Sequence, residues 1–304
     1  MISAHNLTKR YGPTLAVDDL SFEVSPGVVT GFLGPNGSGK STTMRMIVGL
    51  DRPDSGEVRV AGQLHRDLHY PLREVGALLE AKAIAPGRSA RSHLVALARS
   101  NAIAPSRVDE VLDLVGLTAV ATKPAGKFSL GMGQRLGIAT ALLGDPAVVL
   151  FDEPMNGLDP EGILWIRNLL SSLAQEGRTV FVSSHLMSEM ALVATDVVVI
   201  GRGRLIQQAP IDEFIRSNAT SSVVIKSHDQ SSLSSLLTAQ SIAYSTLPDG
   251  SFSVTGLPAS DLGVLANDAR IPLIELHETT PSLEDVFMDL TATDVVYQAR
   301  KTTP

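Results

Sequence analysis

Short unbroken apolar runs punctuate the first two thirds of the chain. VVTGF ends at Phe32, AVVLF ends at Phe151, VFV follows at 180–182 and DVVVI at 196–200. Runs of this length bounded by polar or turn residues predict buried strands. Residues 1–75 read as strands with turns at SPG and DRPDSGE, interrupted by the helix-like TTMRMIVGL. Between about 80 and 130 strand signal is nearly absent. SHLVALARSNA and SRVDEVLDLVGL space their apolar residues as helices do, with Ser106 as the expected N-cap of the second. This predicts a helical subdomain over about 82–140. Strand and helix alternate again over 145–205, and TDVVVIGRGRLIQQAP predicts a closing hairpin around Gly201 to Gly203.

Beyond residue 219 the text turns rich in serine and threonine. SVVIKS, SSLSSLLTAQ, IAYSTLPDGSFSVTG, ASDLGVLANDA and PLIELHE read in order as β-α-ββ-α-β, with Pro248-Asp249-Gly250 as the hairpin turn. A last helix, SLEDVFMDLT, carries apolar Leu283, Val286, Phe287 and Leu290, and QARKTTP is expected to fray. The division expected is therefore 1–218 for a large α/β domain and 219–304 for a small α+β, ferredoxin-like accessory domain.

Composition narrows the classes. With 304 residues, of which 44% are hydrophobic, the chain can build a large core and a small one. A net charge of −7 argues against nucleic acid as a partner, which needs a basic surface. There is no cysteine, so disulfides and thiolate metal sites are excluded. No window reaches the roughly 18 apolar residues of a membrane span, and the N-terminus lacks the build of a secretory signal, so a cytoplasmic protein is expected.

The chemistry sits in GPNGSGKST. Gly34, Gly39, Lys40 and Ser41 satisfy G-x-x-x-x-G-K-S between a strand and a helix. In that setting the backbone amides from Gly37 to Thr42, with Asn36 and Ser38 in the loop, wrap phosphates at the helix's positive end. Lys40 reaches the β- and γ-phosphates and the Ser41 hydroxyl ligates Mg²⁺. A second requirement is met by FDEP: Asp152, at a strand end, binds the metal through water, and adjacent Glu153 can deprotonate or orient the attacking water. The pair implies an ATPase or GTPase of doubly wound α/β type, and the lack of an N-K-x-D motif favours adenine.

KFSLGMGQRLGIATALLGDP, at Lys127 to Pro146, decides among such enzymes. Over about residues 1–215 the sequence resembles the ATP-binding subunits of ABC transporters. The family's L-S-G-G-Q signature stands here as Phe128-Ser129-Leu130-Gly131-Met132, a variant similar to type-2 drug and peptide-antibiotic exporters. The resemblance implies a P-loop NTPase, ABC-type core with a helical subdomain, working as a homodimer or heterodimer. Ser129, Gly131 and Met132 would contact ATP held by the other subunit. Tyr11 matches the adenine-stacking aromatic; Asn156, Gly157 and Asp159 match the loop crossing the dimer interface; His185 matches the histidine that senses the γ-phosphate. Glu80 holds the place of a usual glutamine that meets both metal and membrane partner, and is expected to ligate Mg²⁺. The family's role implies ATP and Mg²⁺, a separate transmembrane permease and a peripheral position on the cytoplasmic face of the membrane. The alternative is a soluble, non-transport ABC ATPase such as the cluster-assembly type, which the variant signature and the SLEDVF ending disfavour.

Overall fold

The structure, a computed structural model, describes residues 1–80, 84–218, 222–279 and 281–291. The expected start of the helical subdomain at 82, the expected junction at 219 and the tail QARKTTP lie outside these residues.

The chain opens with a hairpin of β1 (Ile2–Tyr11) and β2 (Thr14–Val24), then β3 (Val29–Leu33), α1 (Lys40–Ile47) and β4 (Ser55–Val60). A single turn, α2 (Pro71–Glu74), leads into β5 (Val75–Leu78). Then come α3 (Ala90–Ser100), α4 (Ser106–Leu114) and α5 (Leu130–Leu142) with no strand between them. Alternation resumes with β6 (Val148–Asp152), α6 (Pro160–Gln175), β7 (Thr179–Ser183), α7 (Met187–Ala191), β8 (Asp196–Gly201) and β9 (Arg204–Pro210).

Two sheets result. β2-β1-β4 is antiparallel; β5-β6-β7-β3-β8-β9 is parallel except for β9, which turns back on β8 through the expected hairpin. β3 and β7 are buried at every position, as strands covered on both faces must be. Phe22 of the first sheet stacks with Phe32 and Phe181 of the second at centroid distances of 5.8 and 5.6 Å, and those two stack on each other at 4.8 Å. Ile2, Leu7 and Leu20 join Met44 and Ile47 of α1 in the same core. The helix behind the phosphate loop is thereby fixed by its apolar side. α6 buries Ile166, Leu170 and Leu173, one face of a 3.6-residue repeat.

The caps differ in one place from the expectation. Ser89 caps α3, its hydroxyl accepting from Ser92 N at 3.2 Å. Ser106 does not cap α4: Pro105 before it is already helical at φ −58°, ψ −29°, so the serine is the first residue inside the helix. α5 lies directly on β5. A Cβ at Gly76 would overlap the Ala141 carbonyl, so glycine is what permits the approach.

Contacts divide the chain into two units: Met1–Phe214, with Leu290 and Thr291 among the described residues, and Ile215–Asp289. After α8 (Ile211–Asn218) come β10 (Ser222–Ser227), α9 (Gln230–Ala239), β11 (Tyr244–Thr246), β12 (Phe252–Thr255), α10 (Ala259–Asp268), β13 (Leu273–Thr279) and α11 (Leu283–Thr291). The sheet order β11-β12-β10-β13, all antiparallel, is a split β-α-β arrangement. Val223, Ile225, Phe252 and Val254 pack with Leu233, Leu237 and Leu262 as a separate core.

Gly76→Ala should cost about 1–3 kcal/mol of stability, because the clash is with backbone that cannot rotate away. Urea unfolding followed by circular dichroism checks this, and an unchanged midpoint would mean α5 stands off β5.

Candidate nucleotide-binding site

The phosphate loop leaves the C-terminal end of β3, where β7 lies on one side and β8 on the other. This is the point in a parallel sheet where ligands bind. Gly39 sits at φ 103° immediately before α1, and a Cβ there would overlap the Ala16 carbonyl, which only glycine avoids. The first intrahelical bond of α1 is Thr43 N to Gly39 O at 2.9 Å, so the amides of Lys40, Ser41 and Thr42 precede it and point outward. Thr14, Leu15, Ala16, Asn36, Gly37, Gly39, Lys40, Ser41, Thr42, Leu79, Asp152 and Glu153 line a cleft of about 490 Å³. Gly34 and Ser38 stand behind the wall; the buried Ser38 hydroxyl has no hydrogen-bond partner among the described residues.

Lys40 is 9% exposed, and its ammonium donates to Gly34 O at 2.6 Å and Pro35 O at 3.2 Å. Burial pushes its pKa below the usual lysine range, and Glu153 and Asp152 counter part of that. Ser41 Oγ donates to Asp152 Oδ2 at 2.8 Å. The other Asp152 oxygen accepts from the hydroxyl of Ser183, its register partner across β6 and β7. A hydroxyl and a carboxylate side by side are hard oxygen donors and fit Mg²⁺.

Glu153 follows at φ 52°, a left-handed conformation rare for a residue with a side chain. Its amide donates to Ser183 Oγ at 3.0 Å and its carbonyl accepts from Gln134 Nε2 at 3.1 Å. Its carboxylate meets His185 Nδ1 at 2.7 Å and accepts from the His185 amide at 3.3 Å. As a carboxylate Glu153 only accepts, so the contact calls for a proton on His185 Nδ1.

Ser129 is exposed and caps α5, its hydroxyl oxygen accepting from Met132 N at 3.2 Å while its O–H remains available. Asp159 caps α6 through Gly162 N at 2.9 Å. Asn156 N closes a turn on Glu153 O at 3.2 Å, bringing Asn156 and Gly157 beside the first turn of α5. Ser129, Gly131 and Met132 do not line the cleft of their own chain.

Comparison with known proteins agrees with this geometry. A family model described as ABC transporter matches residues 17–156, and one described as a domain of unknown function matches residues 221–284. The chain is 42% identical over 221 residues to the bacitracin transport ATP-binding protein BcrA of Bacillus licheniformis, covering 72% of each. It is 33% identical over 295 residues to BcrA of Enterococcus faecalis, covering 95% of this chain and 96% of that one. The chain belongs to the ABC transporter family.

Among solved structures, the dimeric bacterial ABC transporter cassette MJ0796 matches with a TM-score of 0.64 at 25% identity, over 69% of this chain and 98% of that one. A post-hydrolysis form of the same cassette, bound to ADP and Pi, matches with a TM-score of 0.62 at 26% identity. The chain is thus an ATP-binding ABC subunit and an ATPase, with an α/β P-loop core. Among the described residues no helix is long and apolar enough to cross a membrane.

Tyr11 and Glu80, expected at the site, also stand apart from the cleft wall. Tyr11 is 46% exposed, and its hydroxyl donates to Asp51 Oδ2 at 2.7 Å, an acid also held by Arg45 Nε at 2.7 Å. Asp51 pushes the phenol pKa above its usual value and tethers the ring by its far end. Glu80 is exposed and is not among the residues that line the cleft, whereas Leu79 is. Sequence reasoning assigned no role to Ser183, Asp51 or the Thr14–Ala16 wall. Strand counting finds Ser183, which lies in register with Asp152. Asp51, 40 positions from Tyr11, leaves no local signal.

Ser183→Ala removes a donor from Asp152 and an acceptor from Glu153 N. ATPase kcat should fall by about tenfold or more, the rate equivalent of one to two buried hydrogen bonds, with KM for ATP little changed. If Tyr11 stacks on adenine as the family resemblance implies, Tyr11→Ala should do the reverse, raising KM for ATP about tenfold, since base stacking contributes about 1–3 kcal/mol. Steady-state kinetics on both variants checks the pair, and a Tyr11→Ala variant that loses kcat instead would take Tyr11 out of the adenine site.

Proposed function

We propose that two such subunits bind ATP between them, head to tail, and that closing and hydrolytic opening of this sandwich drive a separate transmembrane permease exporting a peptide antibiotic, drug or lipid-like compound. The observation that carries the proposal is the Glu153–His185 pair at the mouth of a cleft lined by the phosphate loop. The exposed Ser129, outside its own cleft, supports the second half of the reading: its hydroxyl is offered to a nucleotide held elsewhere.

The roles follow from the chemistry of each group. Lys40 and the amides of α1 bind the triphosphate. Ser41 and Asp152 would hold Mg²⁺, which supplies charge neutralisation at the β- and γ-phosphates. Glu153 takes a proton from water as the water oxygen attacks the γ-phosphorus and the bond to the ADP oxygen breaks; His185 fixes the carboxylate. His185 Nε2 would face the γ-phosphate. Asn156, Gly157 and Asp159 lie at the subunit junction. The export direction and substrate class rest on likeness to the two bacitracin proteins and to the lantibiotic transport ATP-binding protein SrtF of Streptococcus pyogenes, 35% identical over 214 residues. A peripheral position at the cytoplasmic face follows from the need to reach both ATP and the permease.

Glu153→Gln should still bind MgATP while turnover falls by at least about a hundredfold, the scale of a lost general base. Tagged and drawn from detergent-solubilised native membranes with MgATP, this variant should bring down a polytopic membrane protein. Recovery of a soluble complex without one would move the protein to the non-transport ABC ATPases.

A further inference from the structure

Gln134 is a polar residue inside the apolar body of α5. It is 4% exposed, and Leu136, Ile138, Ala139 and Leu142 around it are buried hydrocarbon. A buried amide without a partner is costly, and an apolar residue would pack there more cheaply. The partner is specific: Nε2 donates to the carbonyl of Glu153 at 3.1 Å.

That carbonyl belongs to a backbone held against its preference. Glu153 is at φ 52°, and it precedes Pro154, which restricts the preceding residue towards extended conformations. Such a conformation persists only where surroundings over-determine it. The amide on one side is held by Ser183 of β7, with Oγ at 3.0 Å and O at 3.3 Å. The carbonyl on the other side is held by Asn156 N at 3.2 Å and by Gln134. Gln134 thus joins α5 to the turn that aims Glu153, five residues from the Ser129 cap at the helix's exposed end.

We propose that Gln134 is a positioning residue that relays the state of α5 to Glu153, so that engagement of Ser129 with the opposite subunit's nucleotide sets the aim of the base acting on the chain's own. The proposal rests on the sandwich reading of Ser129. A helix responds as a rigid rod over one to two turns, so a displacement at its N-terminus moves Gln134 and, through one hydrogen bond, the Glu153 peptide.

The test uses the full chain and three readouts. Gln134→Met keeps length and burial and deletes the donor; Ile138→Val, on the same helix, serves as a control for mere loosening. Amide exchange of the 152–159 segment without nucleotide should quicken in Gln134→Met and not in Ile138→Val. ATPase kcat should fall about tenfold in Gln134→Met with KM within about twofold. The third readout is a double-mutant cycle with Ser129→Asn, which keeps a capping oxygen and alters the cross-subunit contact. The two effects on kcat should be strongly non-additive. If Gln134→Met matches Ile138→Val in exchange and rate, or if its effect simply adds to that of Ser129→Asn, the relay is overturned while the sandwich stands. If Ser129→Asn alone leaves hydrolysis untouched, the sandwich reading of α5 falls, and the relay with it.

Discussion

Asp152 accepts two hydroxyls at once, Ser41 from the start of α1 and Ser183 from the end of β7. The carboxylate stands where the strands β3, β6 and β7 deliver their C-terminal ends, and each hydroxyl reports the position of a different element. The spacing works only if the parallel register Asp152 to Ser183 is kept and if α1 is pressed home against the Phe22–Phe32–Phe181 core. Glu153 inherits its place from the same arrangement, because its amide returns to Ser183. A shift of one residue in β6 would turn the acid pair to the opposite faces of the sheet.

Much of this was legible beforehand for a simple reason. Strands covered on both faces write themselves as unbroken apolar runs, and a phosphate loop requires glycine and lysine at fixed intervals whatever the rest of the chain does. AVVLF followed by Asp152 and Glu153 locates the acids, and the apolar spacing of SHLVALARSNA locates a helix. What stayed hidden are contacts between residues distant in sequence. Gln134 reads as one more polar position on a helix until β6 is placed beside it, and Asp51 reads as a turn residue until Tyr11 reaches it. Ser106 misled because serine before a helix pattern is a common cap, whereas a preceding proline already in helical conformation takes that role away. Glu80 was assigned by resemblance to a family position, and the cleft wall next to it is formed by Leu79.

The second unit shows a different economy. Its strands alternate, with Val223 and Ile225 inward and Ser222, Val224 and Lys226 less deeply buried, so its helices cover one face of an antiparallel sheet. The hairpin at Asp249 is fixed locally: the carboxylate accepts from Ser251 Oγ at 2.6 Å, from Lys226 Nζ at 2.9 Å and from Ser251 N at 3.1 Å. These bonds hold its pKa well below the usual range.

The parked ammonium of Lys40 has a kinetic side. Its protons already rest on the carbonyls of Gly34 and Pro35, and the side chain itself is largely buried. A phosphate arriving at Lys40 would exchange places with two neutral oxygens, and little of a hydration shell would have to be stripped from the cation at the moment of encounter. The cost of drying that charge is carried once, in the folded chain, and is not met again at each turnover.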